Sequence, residues 1–153
     1  MLRKLIARLF GRRLVLLANI AEGAHADGCK TYLTDAAQSL RHALVMFGTA
    51  DHVAVTTADT DIPLGVCNDE ADAAEDVINV QLLGQKEGTI LVVAQAAIGV
   101  GAYLVPAAAG RVQTIVGLSG VTTYIVGRAL NAASSQGDLV EMAHCGPVQR
   151  VIA

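Results

Sequence analysis

The chain has 153 residues, which suits one domain of ordinary size rather than two. Hydrophobic residues make up 53%, aromatics 3% and charged residues 16%, and tryptophan is absent. A core of Ala, Val, Leu and Ile is therefore expected, and disorder, which needs low hydrophobicity and high net charge, is excluded.

Charge is split along the chain. Residues 1–17 carry five bases and no acid, whereas residues 18–153 carry the other six bases and all 14 acids, a net −8. An acidic, aromatic-poor domain lacks the basic face and stacking platforms of a typical nucleic-acid binder. So little surface charge points to a surface covered in part by other protein.

In residues 1–17, Leu2, Leu5, Ile6 and Leu9 recur at helical spacing with Arg3, Lys4 and Arg8 off that face, so a short basic amphipathic helix or arm is expected, interrupted near Gly11. Four readings stay open for it: a non-native upstream extension or loose tail, a partner-binding arm, a membrane-surface anchor, and an export signal using LVLLANIA as its apolar region. No stretch approaches 18 uninterrupted apolar residues, so no segment spans a bilayer, and membrane contact of residues 1–16 is not the favoured reading. Residues 18–41 read as an extended N-terminal segment and 42–153 as one β-rich domain.

From residue 42 onward, short β-type runs alternate with turn residues. They are His42–Phe47, His52–Thr57, Ile62–Cys67, Val77–Leu83, Thr89–Ala94, Ala102–Val105, Arg111–Ile115, Thr122–Leu130, Leu139–Ala143 and Val148–Ile152. Pro63 confines its run to an edge or a strand start, and Pro106–Gly110 reads as a hairpin loop. One helix is expected over Asp69–Asp76, where acids cluster at a possible helix start; Asn131–Ser135 reads as a turn. No internal repeat of fixed period stands out. The expected fold is all-β, a small barrel or sandwich with short loops.

Chemistry-bearing motifs are sparse. Asp69, Glu70, Asp72, Glu75 and Asp76 form the densest charge, but Ala71 and Ala73 fall where a calcium loop needs oxygen ligands and Val80 where it needs a glutamate. Cys29, Cys67 and Cys145 form no CxxC, so neither a disulfide framework nor a zinc knuckle is expected, and a reducing compartment is the expected home. His25 with Cys29, or His144 with Cys145, could contribute to a transition-metal site, but strand neighbours such as His144 and Cys145 point to opposite faces and a lone buried cysteine is usually packing, so no metal site is expected. Ser39, Ser119, Ser134 and Ser135 lack a nucleophile elbow. Acids after Cys67 raise rather than lower its thiol pKa. Gly99-Val-Gly101 lacks the third glycine of a dinucleotide loop, Leu104 standing there, and no phosphate-binding P-loop exists. No catalytic, cofactor-binding or metal-binding residue is therefore assigned, and no cofactor is expected.

Several segments, in order, resemble one family. These are ANIAEGAHADGCKTYLTDAA at 18–37, ADHVAV at 50–55, IPLGVCNDEADAAEDVINVQLLG at 62–84, AIGVGAYLVPAAAGRVQ at 97–113 and VGRALNAASSQGDLVEMAHCGPV at 126–148. Together they resemble the capsid cement, or head decoration, proteins of tailed bacteriophages and prophages. The family's opening resembles Met-Ala-Asn-Ile, whereas Leu17-Ala18-Asn19-Ile20 stands here, so residues 1–16 depart from the pattern. The resemblance implies a small β-rich structural protein, not an enzyme, that binds the major capsid protein on the outer surface of the phage head. It further implies a homotrimer, free of nucleic acid, found in the host cytoplasm before assembly and on the virion afterwards. A β-rich host- or carbohydrate-binding module and a small enzyme remain as alternatives. The first would use exposed aromatics, of which only Phe10, Tyr32, Phe47, Tyr103 and Tyr124 are available, and the second a pocket with convergent polar groups.

Overall fold

Alternating and β-branched runs become strands wherever one face can be buried. In β5 (Val77–Leu82), Ile78 and Val80 point inward between exposed Val77 and Asn79. In β10 (Leu139–Val151), Val140 and Met142 do so between exposed Leu139, Glu141 and Ala143, the period of two that a pleated strand imposes. A computed structural model describes residues 27–153. It adds β1 (Cys29–Leu33), β2 (Ala43–Phe47), β3 (Val53–Val55), β4 (Gly65–Cys67), β6 (Ile90–Val93), β7 (Tyr103–Pro106), β8 (Val112–Thr114) and β9 (Thr122–Ala129). One 3-10 turn, Ala108–Gly110, lies between β7 and β8, and no α-helix occurs among the described residues. The described residues are all-β, in two antiparallel five-stranded sheets.

Three features differ from the sequence expectation. The first sheet begins at Cys29, inside the stretch expected to be extended, because β1 pairs with β5 from Cys29 opposite Gln81 to Leu33 opposite Val77. The helix expected over Asp69–Asp76 is a loop instead. The Asp76 carboxylate accepts the Asp72 and Ala73 N–H groups at 2.8 and 3.0 Å, closing a tight turn in which Glu75 takes φ +67°. Aspartate bonding its own neighbourhood in this way competes with helix formation. Finally, the runs at Leu139–Ala143 and Val148–Ile152 belong largely to one strand, β10, whose register against β9 shifts between His144 and Val148. The expected basic helix or arm, and His25, lie outside the described residues.

The sheets are two copies of one module. Their strand orders are β1-β5-β4-β2-β3 and β6-β10-β9-β7-β8, so each strand of the second has a counterpart five places earlier. Registers correspond as well: Lys30 faces Val80 as Ile90 faces Met142, and Val45 faces Val55 as Leu104 faces Thr114. Loops follow the same plan. The paired Gln38 and Ala71 bridge is matched by Ile98 and Ala133. The Asp76 turn is matched by Asp138, which accepts the Ser134 and Ser135 N–H groups at 2.7 and 3.0 Å. Ala50 and Ala109 both adopt positive φ, at 53° and 56°, in equivalent turns. Inner cores correspond too, with Tyr32, Val45, Val53, Cys67, Ala71, Ile78 and Val80 in the first module and Val92, Leu104, Val112, Ala129, Ala133, Val140 and Met142 in the second.

The modules join through a third layer of contacts. Leu44, Val66 and Leu83 of the first module belong to the apolar cluster of the second. The second module's 3-10 turn sits against β2 and the residue after β3: the Gly110 N–H donates to the Thr56 carbonyl at 2.9 Å, and the Thr56 hydroxyl donates to the Ala107 carbonyl at 3.1 Å. A Cβ on Gly110 would lie 2.7 Å from the Cβ of Ala43, so this approach requires glycine.

Candidate functional site

Among the described residues, no three His, Cys, Asp or Glu side chains converge as a metal site. Two of the acids at 69–76 hold the loop, Asp69 accepting the Asn79 N–H at 2.8 Å and Asp76 closing its turn. Ser134 and Ser135 donate to Asp138, whose carboxyl these bonds hold below the usual carboxylate range. Gly101 forms a turn at φ +79°, its N–H bonded to the Ala129 carbonyl at 2.8 Å, and strand β7 rather than a helix follows. Cys67 is buried, and burial pushes its thiol pKa up.

His144 and Cys145 have separate surroundings. The His144 Nδ1 accepts the Gly84 N–H at 3.0 Å, tying β10 to the segment between the modules, and burial holds the imidazole pKa below its ordinary value. The Cys145 thiol faces the Ile125 carbonyl at 3.9 Å, and burial raises its pKa.

One polar cluster carries no sequence signal. The Asp35 carboxylate accepts the Thr49 N–H at 2.8 Å and the Thr49 hydroxyl, and lies 3.3 Å from the His52 Nδ1. The two Thr49 bonds, with a smaller contribution from His52, hold the Asp35 carboxyl below its usual range. Activating a hydroxyl nucleophile in the Ser-His-Asp manner would place the imidazole between hydroxyl and carboxylate. Here the carboxylate is central, and the cluster braces the β2–β3 turn.

The surface distinguishes the modules more than any polar cluster does. On the first module, Leu44, Val66 and Thr56 have no exposed surface because the second module covers them. Register equivalence places Tyr103, Arg128 and Ile115 at those positions in the second module. There Tyr103 is 48% exposed and Arg128 is also exposed. The Arg128 guanidinium stands 5.1 Å from the Tyr103 ring centre, and its Nε donates to the Gly101 carbonyl at 3.1 Å. Beside them opens a groove of about 560 Å³, lined by Tyr103, Ile115, Ile125, Val148, Arg150 and Ile152. Its far wall is the ribbon formed by Thr122–Ile125 with Val148–Val151, for which the first module has no counterpart strand pair. Sequence reasoning missed this face because it is defined by equivalence to a buried one, and no local motif marks it.

No protein-family model and no curated protein sequence matches this chain.

Proposed function

We propose that the protein is a structural, non-catalytic component of a phage or prophage head that binds the major capsid protein on the outer surface of the shell and stabilises it. The observation that carries this reading is the exposure of large apolar side chains across both modules. Phe47 and Ile62 are each 61% exposed, Val100 69%, Val151 70% and Val116 79%. Exposed apolar surface on an acidic, low-charge domain suits a function made of protein contact. The segments between residues 18 and 148 that resemble head decoration proteins supply the identity of the partner, the homotrimer and the virion location. On this reading the protein needs no nucleic acid, metal or cofactor.

Adding the purified full chain to expanded, undecorated heads tests the proposal. Co-sedimentation that saturates at a fixed ratio to the major capsid protein, with new density on the outer surface, is expected. Heads that gain no density at saturating protein would refute it.

A further inference from the structure

The module that is covered and the module that is open carry equivalent faces, and the covered one displays what fits such a face. The second module seats Ala107 and its 3-10 turn, Ala108–Gly110, on the first, bonded to Thr56 and close against Ala43 and Leu44 of β2. The turn equivalent to it in the first module is Gly48–Asp51: the Gly48 N–H bonds to the His52 carbonyl and the His52 N–H to Thr49, as Ala107 and Arg111 do in the second. Gly48–Asp51 is exposed throughout, whereas Ala107 and Gly110 are buried. Each chain therefore presents an open face on one module and an open turn of the matching kind on the other.

We propose that copies of this chain associate head to tail, the Gly48–Asp51 turn of one copy seating on the Tyr103–Arg128 face of the next. It rests on the self-association already proposed as a homotrimer and names its surface, and it does not depend on binding to the shell.

Two observations select a second copy as the occupant. Charge is complementary locally, an acidic turn on an acidic module against a face that carries two bases. Residues 27–86 hold ten acids against three bases, while residues 87–153 hold three of each, with Arg128 and Arg150 exposed at the open face. The side chains that differ between the internal contact and the open surfaces also differ as a pair. Gly110 becomes Asp51 on the turn, and Leu44 and Val66 become Tyr103 and Arg128 on the face, so the open turn gains an acid and the open face gains a base. Asp51 cannot reproduce the Gly110 approach, since even a Cβ there would meet the neighbouring strand, and the seat between copies is correspondingly wider. Tyr103 in place of Leu44 and the groove beside it supply the apolar part of that wider seat. Turn and face are different surfaces, so the contact is heterologous and closes into a ring or extends into a chain.

Sedimentation velocity of the full chain, from about 1 to about 100 µM at moderate salt, tests this. The wild type is expected to associate with rising concentration. Arg128→Glu and Asp51→Arg are each expected to raise the midpoint concentration at least tenfold while keeping the wild-type circular dichroism spectrum. An equimolar mixture of the two variants is expected to associate more tightly than either variant alone, because the substituted turn of one meets the substituted face of the other; a trimeric ring cannot close on alternating copies, so mixed dimers rather than the wild-type assembly are the species expected. Ala50→Arg replaces the turn variant if Asp51→Arg fails to fold. A wild type that stays monomeric overturns the proposal, even if Arg128→Glu then abolishes binding to heads, which would assign the face to the shell. Folded variants that do not weaken association overturn it, as does a mixture that associates no more tightly than either variant alone, the result expected of a face-to-face dimer.

Discussion

Replacing Gly110 with alanine tests whether the two modules meet as described. Gly110 has φ +70°, and its added Cβ would lie 2.7 Å from the Ala43 Cβ, 3.2 Å from the Leu44 carbonyl oxygen and 3.4 Å from the Ala43 Cα. A left-handed conformation at a residue with a Cβ costs about 1–2 kcal/mol. The close approach adds about 1–3 kcal/mol, because Ala43 and Leu44 sit in a central strand of the first sheet and give way only by moving backbone. The expected loss is thus about 2–5 kcal/mol, a fall of roughly 1–2.5 M in the urea midpoint at a slope of about 2 kcal/mol per M. Gly137→Ala provides the control: its φ is +93°, but nothing lies within 4 Å of the added Cβ, so only the conformational cost applies. Urea titrations of both variants at about 1 µM keep self-association out of the measurement. Equal losses for the two variants would refute the seating of the 3-10 turn on β2.

Leu44→Ala should cost about 2–5 kcal/mol and Tyr103→Ala at the equivalent position clearly less, since only the first is fully buried; equal urea midpoints would contradict the asymmetry of the modules. His144 has a pKa lowered by burial, so its contribution to stability is present above the ordinary histidine value of 6.5 and is lost as pH falls below it. The gap in urea midpoint between wild type and His144→Asn should accordingly shrink from pH 7 to pH 5, and a constant gap would exclude a neutral His144 accepting from Gly84. Asp35 and Asp138, with carboxyl pKa values lowered by their hydrogen bonds, act in a separate window: their stabilisation is lost only as pH falls below about 4. Among the cysteines, Cys67 should react last with a thiol reagent, because it is buried and its thiolate is disfavoured, while Cys29 and Cys145 are partly exposed. Labelling of Cys67 in step with the other two under native conditions would contradict its burial.

The all-β class was legible in the sequence because period-two alternation and β-branched runs are local signals. Val77–Leu82 and Leu139–Ala143 show this directly, and glycines between runs, such as Gly84 after Val77–Leu82, marked their ends. The strand at Cys29–Leu33 was not legible, since Lys30 and Thr31 blur the alternation and only pairing with β5 makes the segment a strand. The acids at 69–76 read as a helix start because both structures use aspartate at the same place, and the bonds that Asp76 makes decide between them. The candidate site was legible only as an excess of apolar residues over charge, without an address on the surface.

Length, composition and pattern by themselves determined an apolar, aromatic-poor β protein with an acidic body, because burial preference and strand period act on each residue in its own neighbourhood. The duplication was decided only by the tertiary structure. Equivalent residues are separated by 60 positions at Lys30 and Ile90, 59 at Val45 and Leu104, and 62 at Val80 and Met142, so no fixed period survives. Their chemistry diverges as well: Gln38, buried and bonded through Nε2 to the Leu40 and Asp69 carbonyls, stands where Ile98 needs no partner. A fold conserves backbone pairing and the volume of its core, which different side chains satisfy equally. Which of two equivalent faces is covered depends on the contact between modules, more than 40 residues apart from Leu44 to Ile90, and no window of sequence contains it.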